Sequence, residues 1–277
     1  MNLNIFKYSV FIKIELFINI IILYITMVSN LDLLSIFWEE VCYLNFVTPI
    51  FVEGLVKQWS KYFCFNSEYD SLDETIERVM HKHSTDKVNL VGHSMGALES
   101  LAYTLNNPDN VDNCVTVAGP FGGTNMAIFG FVQFAFFVYT PSIFQLLPNS
   151  TYIQEMKHKI REKMPELEDK DVKINNIWSP VDEFLSSDET TLETILGRKS
   201  SSVNEHGVQR GHCSTFYCDT TLNILKNILQ ESKYPMVMLP GFTMSEKFYD
   251  IFMNDLSPEF KEKVYAISYD FAKILEV

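Results

Sequence analysis

Residues 92–96 read Gly92-His93-Ser94-Met95-Gly96, and the segments on either side leave few ways to fold them. Val88 to Val91 is a short apolar run bounded by polar residues, the pattern of a parallel strand buried on both faces. Behind the motif comes ALESLAYTL, in which Leu98, Leu101 and Leu105 recur at helical spacing; upstream, Leu72, Ile76, Val79 and Met80 do the same. A strand, a serine bracketed by glycines and a helix together predict a sharp turn that holds the hydroxyl clear of the sheet, the nucleophile elbow. A serine hydroxyl is a poor nucleophile until a base takes its proton, so it has to stand where a histidine can reach it. Gly92 and Gly96 lack the Cβ atoms that would collide with the strand and the helix. The same turn aims the Met95 N–H and the N-terminal end of the helix at the place where an oxyanion would form.

The partners of such a serine follow it in the order acid, then histidine, each past a later strand. Val111 to Val117 reads as the next strand and ends in a Gly/Pro-rich loop; Val172 to Trp178 alternates as another, with Asp182 in the loop after Ser179-Pro180. Asp182 is thus the expected acid, 88 residues after the serine. Glu183 and Asp188 are its rivals, but a residue directly past the strand is better placed than one that opens the following helix. For the base, His212 follows Gly211 and precedes an expected helix on which Phe216, Leu222, Leu225 and Leu229 can face the sheet. His206 reads as a loop residue. His93 reads as support for the turn rather than as a proton carrier.

Composition removes other classes. The chain has 277 residues, enough for one large domain or two small ones, and 35 acidic against 22 basic side chains give a net charge of −13. That charge disfavours a nucleic-acid partner, and no local basic patch offsets it. An apolar fraction of 47% excludes wholesale disorder. Five cysteines, odd in number and without a Cys-x-x-Cys pair, support neither a zinc site nor a disulfide framework; Cys213 and Cys218 read as ordinary thiols of a helix. Mean hydropathy is +0.03, and the apolar excess sits in two places. One is Asn4 to Val28, where Lys7, Lys13 and Glu15 leave an uninterrupted run of 13 residues from Leu16, too short for a clean membrane span. Basic residues ahead of an apolar stretch fit a targeting or anchoring segment, although no small-residue cleavage site follows. The other is Met126 to Leu147, which contains Gly130, Gln133 and Pro141.

The segments VNLVGHSMGALESL, VTVAGPFGGT, FQLLPNSTYIQEM, IWSPVDEF and RGHCSTFY, in this order between about Leu72 and Leu229, resemble the α/β-hydrolase superfamily. Within it they are similar to the serine lipases and esterases of the lecithin:cholesterol acyltransferase-like and bacterial triacylglycerol lipase-like groups. The resemblance implies an α/β fold with a mostly parallel central sheet flanked by helices. It implies Ser94 as nucleophile, Asp182 as acid and His212 as base, and it makes Met126 to Leu147 a helical lid or acyl-binding cap, the alternative being packed core. The activity implied is hydrolysis of lipid-like acyl esters through an acyl-enzyme, with no metal or organic cofactor. Acyl transfer would use the same residues, and a non-catalytic protein of this fold that binds a lipid or a partner is the alternative of a different class. The acidic charge makes any membrane contact apolar rather than electrostatic; a membrane-associated or secretory location would rest on the N-terminus.

The chain departs from the family at the second oxyanion donor, which a Gly-containing turn ahead of the serine should supply. Only TPIFVEGLV stands there. The opening of a hydrolase reads instead at the other end, in YPMVMLPGFTMSEKFYDIFMNDLSPEFKEKVYAISYDF, where the Pro240-Gly241-Phe242 turn would let the Phe242 N–H serve. Ile50-Phe51 and Leu55 match Ile251-Phe252 and Leu256 at an offset of 201, and Tyr69-Asp70 matches Tyr269-Asp270 at 200. The expected organisation is therefore an apolar leader or anchor over 1–47, a hydrolase core over 48–232, and over 233–277 a strand-helix-strand unit. That last unit either completes the core by permutation or begins a truncated second copy.

Overall fold

The computed structural model describes residues 71–125, 145–241, 244 and 246–267. The segments 1–47 and 126–144 lie outside these residues, as does Phe242, so the leader, most of the lid-like segment and the second oxyanion donor have no structural description.

The described chain opens with helix α1 (Leu72–His83), which Ser71 starts with a capping box: its hydroxyl accepts from the Glu74 N–H while the Glu74 carboxylate accepts from the Ser71 N–H. Strand β1 (Val88–His93) follows, then α2 (Met95–Asn106), a short turn of 3₁₀ helix and β2 (Val111–Val117). Helix α3 (Thr151–Asp169), capped by the Ser150 hydroxyl, leads into β3 (Lys173–Trp178). Two short helices, α4 (Ser187–Thr190) and α5 (Leu192–Leu196), precede β4 (Val203–Gly207); then come α6 (Asp219–Glu231) and β5 (Met236–Leu239). A 3₁₀ turn (Glu246–Tyr249), α7 (Asp250–Asp255), α8 (Pro258–Lys261) and β6 (Val264–Ala266) complete it.

The six strands form one sheet in the order β4-β3-β2-β1-β5-β6, and every pairing is parallel. The chain thus lays down β1 to β4 in one direction and then returns to the other side of β1 for β5 and β6. Strand order reverses between β1 and β5. In sheets of this kind the strand ends flanking such a reversal open a crevice where ligands bind.

Apolar residues cover both faces, which is why the central strands are continuous apolar runs rather than alternating ones. Leu90, Cys114, Ile174 and Val237 pack with α1, α2 and α3 on one face. On the other, Val91, Val115, Ile177 and Met238 pack with Leu225 and Leu229 of α6 and with Tyr249 and Phe252. Leu90, Leu98 and Leu101 are wholly buried, and full burial of such a side chain is worth roughly 1.5–3 kcal/mol.

The structure corrects several expectations. His206 lies within β4, not in a loop. Residues 213–217 form turns rather than helix, and α6 begins only at Asp219 with Cys218 as its N-cap; Phe216 is fully buried, but from the turn ahead of the helix. Strand β1 runs on to His93, two residues past the apolar run.

Candidate active site

Ser94 stands at the junction of β1 and α2 with φ 54° and ψ −120°, a conformation that side-chain-bearing residues rarely adopt. The strain persists because its surroundings fix it. The Ser94 N–H donates to the Val117 carbonyl at 2.8 Å, and its own carbonyl accepts from Ala97 at 3.0 Å. A Cβ on Gly92 would sit 2.1 Å from the Gly96 carbonyl oxygen, so the turn closes only with glycine there. Met95 is the first residue of α2, and its N–H belongs to the first turn, which has no intrahelical acceptor.

Gly96 meets a different constraint. Its Cβ would lie 2.3 Å from the Leu239 carbonyl oxygen and 2.5 Å from that of Pro240, at the end of β5. Gly241, next in the chain, is so close to the elbow that a Cβ on it would meet Ser94 Cβ at 3.0 Å and His93 Nδ1 at 3.1 Å. The end of β5 and the turn after it are therefore a wall of the serine site.

Asp182 and His212 come together from the loops after β3 and β4. His212 Nδ1 lies 2.8 Å from Asp182 Oδ2, with the two side chains 8% and 1% exposed. The other carboxylate oxygen of Asp182 accepts from the Phe184 and Leu185 N–H groups at 2.8 and 3.0 Å, so the acid is oriented by its own loop. Carboxylate oxygens only accept, so His212 Nδ1 carries the proton of this bond and Nε2 is the acceptor nitrogen of the neutral ring. Phe184 meets the imidazole edge-on, ring centres 5.3 Å apart.

His93 ties this pair to the serine. Its Nε2 donates to the His212 carbonyl at 3.1 Å, and the two rings lie 5.0 Å apart. Complete burial above all, with the neighbouring His212 imidazole as a lesser cause, holds the His93 imidazole down to about 3, so it is neutral in ordinary buffers. Phe248 stacks on its other side at 4.8 Å. No hydrogen bond joins the Ser94 hydroxyl to His212 among the described residues, a contact that in unliganded sites often forms only with substrate.

Two neighbours carry roles that residue order does not announce. Glu183, a rival for the acid, instead accepts the His212 backbone N–H at 2.8 Å. The Tyr249 hydroxyl donates to the Leu239 carbonyl, and the His93 backbone N–H hydrogen-bonds the Tyr249 hydroxyl oxygen. No group of His, Cys, Asp and Glu among the described residues could hold a metal ion.

Residues 56–170 match a family model described as alpha/beta hydrolase fold. The chain has an α/β-hydrolase fold. Among solved structures it is similar to MGS-MChE2, an alpha/beta hydrolase enzyme from a metagenome of lagoon sediments of Mar Chica, Morocco. That likeness is at 15% identity over 57% of this chain and 68% of that one, with a TM-score of 0.38. It is similar to a lipase-esterase related protein of Clostridium acetobutylicum at 13% identity over 60% and 79%, TM-score 0.36. It is also similar to a Paleococcus ferrophilus monoacylglycerol lipase at 10% identity over 58% and 74%, TM-score 0.37. No curated protein matches the chain.

Proposed function

We propose that this hydrolase-fold chain is a serine-dependent carboxylic ester hydrolase that acts on lipid-like acyl esters. The observation that carries the reading is the buried 2.8 Å contact of Asp182 with His212, set beside a serine in a strained, glycine-closed elbow. His212 Nε2 takes the Ser94 proton as Oγ attacks the ester carbonyl carbon. Asp182 keeps the imidazole in the tautomer that can accept that proton and stabilises the imidazolium that forms. The Met95 N–H donates to the oxyanion of the tetrahedral intermediate. Collapse breaks the C–O bond to the alcohol, which leaves with the proton from His212. Water then attacks the acyl-enzyme, giving its proton to His212, and a second collapse frees the carboxylic acid and returns the proton to Ser94.

The Phe242 N–H is the proposed second oxyanion donor, supported by the seat of its neighbour Gly241 against Ser94. In the same reading residues 233–277 complete the core rather than begin a second copy, supported by the pairing of β5 with β1. Lipid-like substrates rest on the apolar sequences of Met126 to Leu147 and of the N-terminus, and the lecithin:cholesterol acyltransferase-like or triacylglycerol lipase-like affinity on the five motif segments between about Leu72 and Leu229. Val181 and Phe184, 54% and 43% exposed beside Asp182, add apolar surface at the site. No helix among the described residues is long and apolar enough to cross a membrane.

Hydrolysis of p-nitrophenyl esters of increasing acyl length, by wild type and Ser94→Ala, tests the reading. We expect turnover and fluorophosphonate labelling by the wild type, and loss of both in the variant. Equal rates in the two proteins would sink the enzyme and favour a lipid- or partner-binding role. Activity on short esters alone would remove the lipid-like substrate, and ester exchange with an added alcohol would indicate acyl transfer.

A further inference from the structure

We propose that Glu183 is a positioning residue that holds the backbone of His212 in line with Ser94, a role that rests on His212 being the base. Asp182 fixes which way the imidazole faces, but its bond at Nδ1 still lets the ring swing about that contact if the main chain moves. The main chain there follows Gly211, in an exposed loop between β4 and α6. Two groups from other elements grip it. Glu183 Oε2 accepts the His212 N–H at 2.8 Å from the loop after β3, and His93 Nε2 donates to the His212 carbonyl at 3.1 Å from the end of β1. The peptide groups on both sides of the His212 Cα are thus held, one from the loop after β3 and one from the end of β1.

The two carboxylates of the acid loop divide the work. Asp182 is buried and bonds the ring; Glu183 is exposed and bonds the backbone one residue's width away. Ser179 braces the same pair of loops, its hydroxyl accepting from the Val181 and Arg210 N–H groups at 3.2 and 3.3 Å. Gly211 has a specific reason to be glycine. A Cβ there would meet Glu183 Oε2 at 2.8 Å, so any side chain at 211 would push the carboxylate off the His212 N–H. Because the displaced atom ends a flexible side chain, the fold would lose little.

The test uses the full chain with p-nitrophenyl butyrate. A misplacement of about 1 Å at a reacting group can cost about 100-fold. We therefore expect Glu183→Ala and Gly211→Ala to lower kcat by about 10- to 100-fold, with KM and the melting temperature near those of the wild type. Glu183→Gln should recover most of the rate, because its amide oxygen can still accept the N–H. Unchanged kcat in Glu183→Ala, or equal losses in the alanine and glutamine variants, would overturn the proposal. Should the wild type neither hydrolyse esters nor label at Ser94, the function fails and the clamp is still read directly. Exchange of the His212 amide hydrogen, followed by NMR, should then be faster in Glu183→Ala, and an unchanged rate overturns it.

Discussion

Ser94 lies between two flanks that are held by different means. On one side, the loops after β3 and β4 meet through directed polar bonds: Asp182 to the His212 ring, Glu183 to its N–H, His93 to its carbonyl. On the other, the end of β5 is fitted by contact so close that Gly96 has no room for a Cβ and one on Gly241 would be tight against Ser94 and His93, with Phe248 and Tyr249 filling the space behind. Under the proposed ester hydrolysis, the difference follows from what each flank must supply. A base has to point, and pointing needs hydrogen bonds. A wall against the nucleophile has to be near, and nearness needs small residues and dense packing.

The most severe perturbation removes one flank altogether. Deleting Tyr234 to Val277 takes away β5, which pairs with β1 along Asn89 to Gly92, and uncovers Leu90 and Val91 at the centre of the core. We expect loss of the cooperative thermal transition, followed by circular dichroism, and rapid cleavage by a non-specific protease. A truncated protein that melts cooperatively and still labels at Ser94 would mean that the close-packed flank is dispensable, and with it the proposal that this segment completes the core.

The flanks also differ in how much of them can be read from residue order. β1, β2 and the helices beside them are legible because strands buried on both faces become apolar runs, and because glycine on either side of a serine has few other uses. β4 is not legible. It is an edge strand reading VNEHG with only Val203 buried, so neither a run nor an alternation marks it, and His206 passes for a loop residue. Glu183 stands out in sequence only as a second carboxylate. Its bond to a backbone 29 residues away depends on the course of two loops, which no periodicity encodes. The C-terminal segment reads as strand, turn and helix, but its place beside β1 is a matter of topology, and local pattern carries no information about which side of the sheet a strand will join.

His93, which touches both flanks, gives a pH test of intermediate size. Its folded value of about 3 lies below the ordinary 6.5, so the unfolded chain binds this proton more readily than the folded one. Stability from this group is therefore complete above about pH 6.5 and falls as pH drops toward 3, by about 1.4 kcal/mol per pH unit. Urea unfolding at pH 7 and pH 4.5 should show a larger loss in wild type than in His93→Gln, whose amide can still reach the His212 carbonyl. Parallel pH dependences in the two proteins would show that His93 is not the group being protonated.

The finest probe is a single oxygen on the close-packed flank. The Tyr249 hydroxyl is wholly buried, donates to the Leu239 carbonyl where β5 turns into Pro240, and is hydrogen-bonded by the His93 backbone. It thus joins the end of β5 to the end of β1 one residue before Ser94, at the point where the turn carries the chain out of the sheet. Tyr249→Phe keeps the ring that packs against Phe216 and removes one of the hydrogen bonds at the Leu239 carbonyl. The net loss of one such hydrogen bond is worth about 0.5–1.5 kcal/mol. We expect the loss at the lower end of that range, read as a shift of the urea midpoint with an unchanged slope. If the flank is held by packing, ester turnover should fall by less than in Glu183→Ala, because the wall stays in place when one bond is lost. A larger rate loss in Tyr249→Phe would mean that this flank too is aimed by hydrogen bonds, and the division between a pointing side and a packed side would not stand.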